Sequence, residues 1–276
     1  RLVAPLSRRI ERHDDHPRPF VTLSYAQSLD GSMSGPLGAR GPRLILSGEE
    51  SMVLTHRLRA AHDAMLIGIG TLLSDDPILT VRFCEGETPL AIILDGALRT
   101  PPSCRLLGTL VDRQLVVATL SSTVASADGA ARARELSDRG VHVIASRADA
   151  LGRVDVAELL SLLRTRFDVC SIMVEGGPTT IGTFIRRGLV DHYVLTVAPT
   201  FVHGLSPASA SVHAGGGGLC DGGDDDGSTE PLRPRPLMSN VQSFVVGEDV
   251  IVSGEASVAV STAEAQPRNG YSGART

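Results

Sequence analysis

The chain has 276 residues, 42% of them hydrophobic, which is enough apolar content for one large α/β core or two modest ones and too much for a disordered or fibrous chain. Lys plus Arg total 26 against 31 Asp plus Glu, a formal net charge of −5, and aromatic residues make up 3% with no Trp. That balance offers neither the basic field nor the stacking surface that nucleic acid requires, so the expected partner is a small molecule.

The opening stretch, residues 1–18, is charged and reads as an N-terminal extension. From Phe20 short apolar runs alternate with longer amphipathic stretches. "FVTLSY", "AMLIGIG", "LAIILD", "LVVATL", "VHVIAS", "CSIMVEGG" and "HYVLTVAP" have strand length and the continuous apolar character of strands buried on both faces. Between them, "GEESMVLTHRLRAAH", "DGAARARELSDRG", "DVAELLSLLRTRF" and "TTIGTFIRRG" have helical spacing, two of them closed by Gly. Such alternation predicts a largely parallel sheet between helices. Residues 205–236 replace apolar periodicity with Gly, Ser, Asp and Pro and predict a flexible surface insertion; the run "DGGDDDG" lacks the spaced ligands and closing Glu of an EF-hand loop. "VQSFVVGEDVIVSG" then predicts a closing antiparallel hairpin, which makes the sheet mixed. One folded domain over 19–258 and a loose tail over 259–276 complete the organisation.

The four cysteines, Cys84, Cys104, Cys170 and Cys220, form no CxxC pair and suggest neither a zinc knuckle nor a disulfide framework. No apolar run reaches the roughly 20 residues of a membrane span, and a cytoplasmic location without metal or membrane partner is expected.

Four stretches carry residue types suited to chemistry. In "SIMVEGGPTT" a buried strand hands over to a helix through Glu175, Gly176, Gly177 and Pro178. It reads either as an ordinary strand-to-helix turn or as a site where glycines admit a ligand and the helix start faces an anion. A carboxylate at such a strand end is expensive for packing alone, and strand ends are where open α/β sheets bind ligands. In "GIGTLLSDDPILTVR", residues 68–82, Thr71 suits a helix cap or a phosphate, and Asp75 and Asp76 suit ribose hydroxyls or an Asx turn before Pro77. "THRLR" places Arg57 and Arg59 on a helix, as phosphate ligands or as a solvated face. "SYAQSLDGSMS" breaks a strand at Asp30 and Gly31, by default a plain turn.

Taken in order, these blocks resemble the reductase family of riboflavin biosynthesis over about residues 19–203. The resemblance rests on "VTLSYAQSLDG", the long "LSGEESMVLTHRLRAAHDAMLIGIGTLLSDDPILTVR", "PLAIILDGALRTP" and "VEGGPTTIGTFIRRGLVDHYVLTVAP". The form "LSGEESMVLTHRLR" is most similar to the fungal stand-alone enzymes. No HxE or PCxxC motif is present, so the zinc deaminase domain fused to bacterial members is absent from this sequence. Arg43 and the 205–236 insertion depart from the pattern.

The resemblance implies a dihydrofolate-reductase-like fold, a homodimer, and NADPH-dependent reduction of a ribosylamino pyrimidinone 5′-phosphate to its ribitylamino product. A ribosylamine opens to an imine, and hydride delivered to C1 gives the open-chain ribityl group. The resemblance also implies roles. Ala26, Thr71, Asp75 and the turn Gly176, Gly177, Pro178, Thr179 and Thr180 would contact the cofactor. Arg59, Leu79 and Arg82 would take the substrate, and Glu175 would stand near its sugar as the catalytic carboxylate. Arg147 is a further candidate for the extra phosphate of NADPH. Two alternatives stay open here: a pterin reductase of the same fold, which two substrate-side arginines disfavour, and a non-catalytic NADP-binding module.

Overall fold

The computed structural model describes residues 2–35, 44–204, 206 and 236–258. Apart from Ser206 and Pro236, the insertion expected over 205–236 lies outside these residues, as do the tail 259–276, Arg43 and Cys220.

Helix α1 (Val3–Glu11) precedes strand β1 (Phe20–Ser28). Then follow α2 (Glu49–Ala60), β2 (Ala64–Gly68), α3 (Ile69–Asp75) and β3 (Leu90–Leu94). A 3-10 turn over Arg105–Thr109 leads to β4 (Leu115–Leu120), α4 (Ser121–Ala125), α5 (Ala127–Asp138) and β5 (His142–Ser146). Next come α6 (Val156–Phe167), β6 (Ser171–Val174), α7 (Pro178–Arg187), β7 (His192–Ala198), β8 (Pro236–Val246) and β9 (Asp249–Val258).

Among the described residues the strands form one sheet in the order β5-β4-β3-β2-β6-β1-β7-β9-β8. The first seven strands run parallel, and β9 and β8 close the edge as an antiparallel hairpin, so the mixed, mostly parallel sheet is present. Alternate residues of each strand feed opposite faces. Leu66, Ile92 and Val116 pack with Leu159, Leu160, Ile181 and Phe184 of α6 and α7. Their neighbours Met65, Ile93 and Val117 pack with Leu72 of α3 and Leu136 of α5 on the other side. Both faces are covered, which explains why β2 reads as an unbroken apolar run.

Three details differ from the sequence reading. "AMLIGIG" is strand only to Gly68, and Ile69 already begins α3. Residues 3–11 form a helix whose Leu6 and Ile10 lie buried with Phe20, Leu58, Met173 and Ile251, so much of the charged opening stretch is packed onto the sheet. Arg18 then clamps Asp191 through two hydrogen bonds of 2.6 and 2.8 Å. The hairpin also starts earlier than its apolar residues indicate, at Pro236; its register shifts between Ser239 and Gln242, where Asn240 takes a left-handed φ of 50°.

Helix ends follow local chemistry. Asp155 caps α6 by accepting from the Ala157 and Glu158 amides at 3.0 and 3.4 Å, and Gly188 ends α7 at φ 63°.

Candidate active site

Strands β2 and β6 are neighbours, yet β2 continues to β3 on one side of the sheet and β6 continues through α7 to β7 on the other. Connections that diverge in this way open a crevice at the carboxyl ends of the strands, the usual ligand position of open α/β sheets. Most of the candidate residues lie at this switch point.

Its floor is made by the starts of α3 and α7. A Cβ on Gly68 would lie 2.4 Å from Thr180 Oγ1, and one on Gly176 would lie 2.5 Å from Thr180 Cβ. A Cβ on Gly177 would lie 3.1 Å from Thr71 Oγ1. Gly68 and Gly177 are thus needed for the two helix starts to meet, each facing a threonine of the other helix, while Gly176 makes room for Thr180 within the turn into α7 itself. Thr71, Gly176, Gly177 and Thr180 are brought together, with Pro178 and Thr179 in the first turn of α7. Gly177 provides no side-chain cap to α7, which begins with Pro178, and among the described residues nothing stands within 4 Å of the Cβ direction of Gly70. Uncapped amides, two hydroxyls and open space above glycine fit a phosphate-bearing group.

Directly after β6, Glu175 meets Arg59 of α2. Arg59 Nε and Nη2 donate to the two carboxylate oxygens at 2.8 Å each, a bidentate pair with side chains only 10% and 14% exposed. Burial opposes the Arg59 charge, but the adjacent carboxylate more than offsets this and raises the guanidinium pKa above its ordinary value. Arg59 Nη1 also donates to the Thr80 carbonyl at 3.1 Å. The Arg59 guanidinium is therefore turned toward Glu175 and the 76–82 segment.

That segment leaves α3 at Asp75 and ends at Arg82. Asp75 accepts a 2.7 Å hydrogen bond from Ser74 Oγ, and Asp76, at φ 39°, accepts from the Arg105 amide at 2.9 Å. Leu79 is buried at φ 56°, packed with the cluster that holds Leu72. The Arg82 amide donates to His56 Nδ1 at 3.0 Å, while its exposed guanidinium lies 4.8 Å from the Phe83 ring centroid. A neutral His56 accepts on one ring nitrogen, and Nδ1 takes the Arg82 amide, while Arg59 Nη1 stands 3.5 Å from Nε2. A protonated ring has no lone pair for that amide. Burial first, and then the charges of Arg59 and Arg82, push the His56 pKa down to about 4.

Ala26 lies one strand beyond β6, on β1, level with Thr196 of β7. Arg147, at the end of the edge strand β5, is ion-paired to Asp155 at 2.8 Å. Among the described residues no cluster of three His, Cys, Asp or Glu side chains could hold a metal ion, and no helix is long and apolar enough to cross a membrane.

Two features were not legible as functional in the sequence. Asp30, read by default as a plain turn, accepts from Ser28 Oγ at 2.5 Å, Ser32 Oγ at 2.9 Å and the Val202 and His203 amides at 3.1 and 2.7 Å. It ties the loop after β1 to the loop after β7. The Ser28 hydroxyl first, with the two amides and Ser32, holds its carboxyl well below the usual carboxylate range. His56 was visible only as a neighbour of the arginines; an i,i+3 spacing to Arg59 was its one signal.

His56 and His192 give the protein an acid limb. Burial is the main cause that lowers both to about 4 from 6.5. Both rings are neutral in the folded chain where the unfolded chain already binds protons, so their contribution is complete above pH 6.5 and is lost as pH falls from 6.5 toward 4. Thermal melts across that window should show falling stability, with a shallower limb in H56Q/H192Q. An unchanged limb in the double variant would remove the two imidazoles as its cause.

Fold and site together define an open α/β protein with a crevice at a switch point, between two glycine-lined helix starts. The chain belongs to the RibD C-terminal domain family, whose model matches residues 19–211. It is 32% identical over 238 residues to the 2,5-diamino-6-ribosylamino-4(3H)-pyrimidinone 5′-phosphate reductase of Methanothermobacter thermautotrophicus, covering 85% of this chain and 97% of that one. It is 33% identical over 191 residues to the riboflavin biosynthesis protein RibD of Aquifex aeolicus, covering 68% of this chain but only about half, 49%, of that longer protein. The fold is that of the riboflavin biosynthesis reductase Rib7 of Saccharomyces cerevisiae, with a TM-score of 0.63 at 23% identity over 88% of this chain and 92% of that chain. This is the dihydrofolate-reductase-like architecture expected from the sequence.

Proposed function

We propose that this chain is an NADPH-dependent reductase that converts 2,5-diamino-6-ribosylamino-4(3H)-pyrimidinone 5′-phosphate, the substrate in the name of its Methanothermobacter relative, to the ribitylamino compound. The observation that carries the reading is the buried Arg59–Glu175 pair standing beside the uncapped start of α7. One part of the crevice suits a dinucleotide phosphate, and the adjoining part presents charge to a sugar.

The Thr179 and Thr180 amides, with Thr71, would hold the cofactor phosphates, and Ala26 and Asp75 would flank the rest of the dinucleotide. When bound, the cofactor supplies the hydride. Arg82 binds the substrate phosphate from the exposed end of the 76–82 segment, and Leu79 shapes the pocket behind it. Glu175, held in one orientation by Arg59, accepts hydrogen bonds from the sugar hydroxyls and keeps the reacting carbon in place. Alignment and fixed charge are the protein's contribution.

A homodimer completes the reading. Supporting it, the edge strand β8 exposes Val241 and Val245, the latter at 71%, beside the exposed Val250 that pairs with Val245 on β9, apolar groups that a second subunit would cover. Sedimentation should give twice the chain mass.

The activity is tested by loss of nicotinamide absorbance with the diamino and the deaminated ribosylamino substrates in parallel, each with NADPH and NADH. Turnover with at least one substrate and preference for NADPH are expected. No oxidation with either, in protein that binds NADPH, would replace the reductase with a silent binding module.

A further inference from the structure

The 76–82 segment has no regular secondary structure, and it holds two residues with side chains in the left-handed region, Asp76 at φ 39° and Leu79 at φ 56°. Such a conformation persists only where its surroundings over-determine it. Its three consecutive carbonyls at Ile78, Leu79 and Thr80 all accept from guanidinium groups. Arg59 takes Thr80, as described above. The other two belong to Arg113, a residue on the turn before β4, which is only 9% exposed.

Arg113 Nη2 donates to Ile78 O, Nη1 donates to Leu79 O at 2.9 Å and to Pro89 O at 3.2 Å, and Nε donates to Thr109 Oγ1 at 3.0 Å. The charge is thus spent on three carbonyls and a hydroxyl, not on a carboxylate. Burial first, and then the like charge of Arg59, bring its pKa down to about 10. A buried cation placed in this way is expensive, and an apolar side chain could fill the same volume. What an apolar side chain cannot do is satisfy several buried carbonyls of an irregular segment at once; the planar five-donor fork can.

We propose that Arg113 is a positioning residue for the substrate side of the site. By gripping the Ile78 and Leu79 carbonyls it sets where Leu79 lines the pocket and where Arg82 emerges, and it touches neither substrate nor cofactor itself. Thr109 orients the guanidinium, and Arg59 couples the same segment to Glu175, so the two arginines hold adjacent carbonyls of one strip of backbone. The assignment rests on the reading of Leu79 and Arg82 given under the proposed function.

The test compares wild type, R113K and R113M for NADPH Kd, substrate KM, kcat, melting temperature, and hydrogen exchange of peptides from 76–89 against peptides from β3 and β4. R113M should raise substrate KM by about tenfold or more while NADPH Kd stays within about twofold, with faster exchange confined to 76–89. R113K keeps the charge without the fork and should recover part of the loss, leaving KM about threefold raised. Unchanged KM and unchanged exchange in 76–89, with only a lower melting temperature, would make Arg113 a scaffold residue and overturn the proposal. If R113M does not fold, R113K decides alone: wild-type KM and wild-type exchange overturn the proposal, and a raised KM with faster exchange supports it. If wild type turns over no ribosylamino substrate, the reductase reading fails, while exchange in 76–89 still reports whether Arg113 fixes that segment.

Discussion

Glu175→Ala will destabilise the chain by about 3–5 kcal/mol and lower turnover by on the order of 10²-fold or more. The first effect follows from Arg59. Its guanidinium is 10% exposed and both of its carboxylate bonds are 2.8 Å long, so deleting Glu175 strands a desolvated cation instead of removing a surface contact. The second follows from the position of Glu175 at the carboxyl end of β6, where the crevice opens. Adding Arg59→Met separates the two effects. The double variant removes both charges and should recover most of the stability, because an apolar replacement of a buried pair is often neutral or better. It should recover none of the turnover. Urea midpoints and kcat on the same four preparations form the cycle. A cost below about 1 kcal/mol for Glu175→Ala would mean that the pair behaves as a solvated surface bridge, and the account of a buried couple would fail.

Gly68→Ala and Gly176→Ala are each expected to cost about 1–3 kcal/mol through overpacking and to weaken NADPH binding, the first because it pushes α7 away from α3 and the second because it distorts the first turn of α7 against its own entry turn. The added methyl at 68 meets Thr180 Oγ1 at 2.4 Å but leaves Thr180 Cβ at 3.8 Å, an ordinary contact. The methyl at 176 meets Thr180 Cβ at 2.5 Å and Cγ2 at 2.6 Å. Thr180→Ala removes the oxygen and the Cγ2 methyl but keeps Cβ. It should therefore rescue Gly68→Ala and fail to rescue Gly176→Ala, for which only Thr180→Gly would clear the space. Melting temperatures and NADPH titrations of the five variants check this pattern. Equal rescue of both glycine variants by Thr180→Ala would show that the helix starts do not meet as described.

Much of this protein was legible one residue at a time. Strand and helix spacing is a local property of the chain, and both faces of the sheet are covered, so β2, β3 and β4 announce themselves as apolar runs. The closing hairpin was legible for the same reason, and "VEGGPTT" marked a strand-to-helix turn with an unusual carboxylate. Helix α1 was harder to read because arginines dominate its composition, although Leu2, Leu6 and Ile10 recur every four residues and are the ones buried.

Partner choice was not local, and tertiary structure decided it. Arg59 and Glu175 are 116 residues apart, and nothing in the spacing of either shows that topology places β6 beside β2 and sets the carboxylate on the guanidinium. Gly68 and Thr180 face each other for the same reason, so the glycines that read as openings for a ligand also make room for the chain's own threonines. Asp30 and Arg113 look ordinary in sequence because their partners are backbone amides and carbonyls, which every residue carries and no residue name reveals. Periodicity determined the elements and their burial; the strand order that β6 creates by returning between β2 and β1 determined which charges, hydroxyls and backbone groups meet.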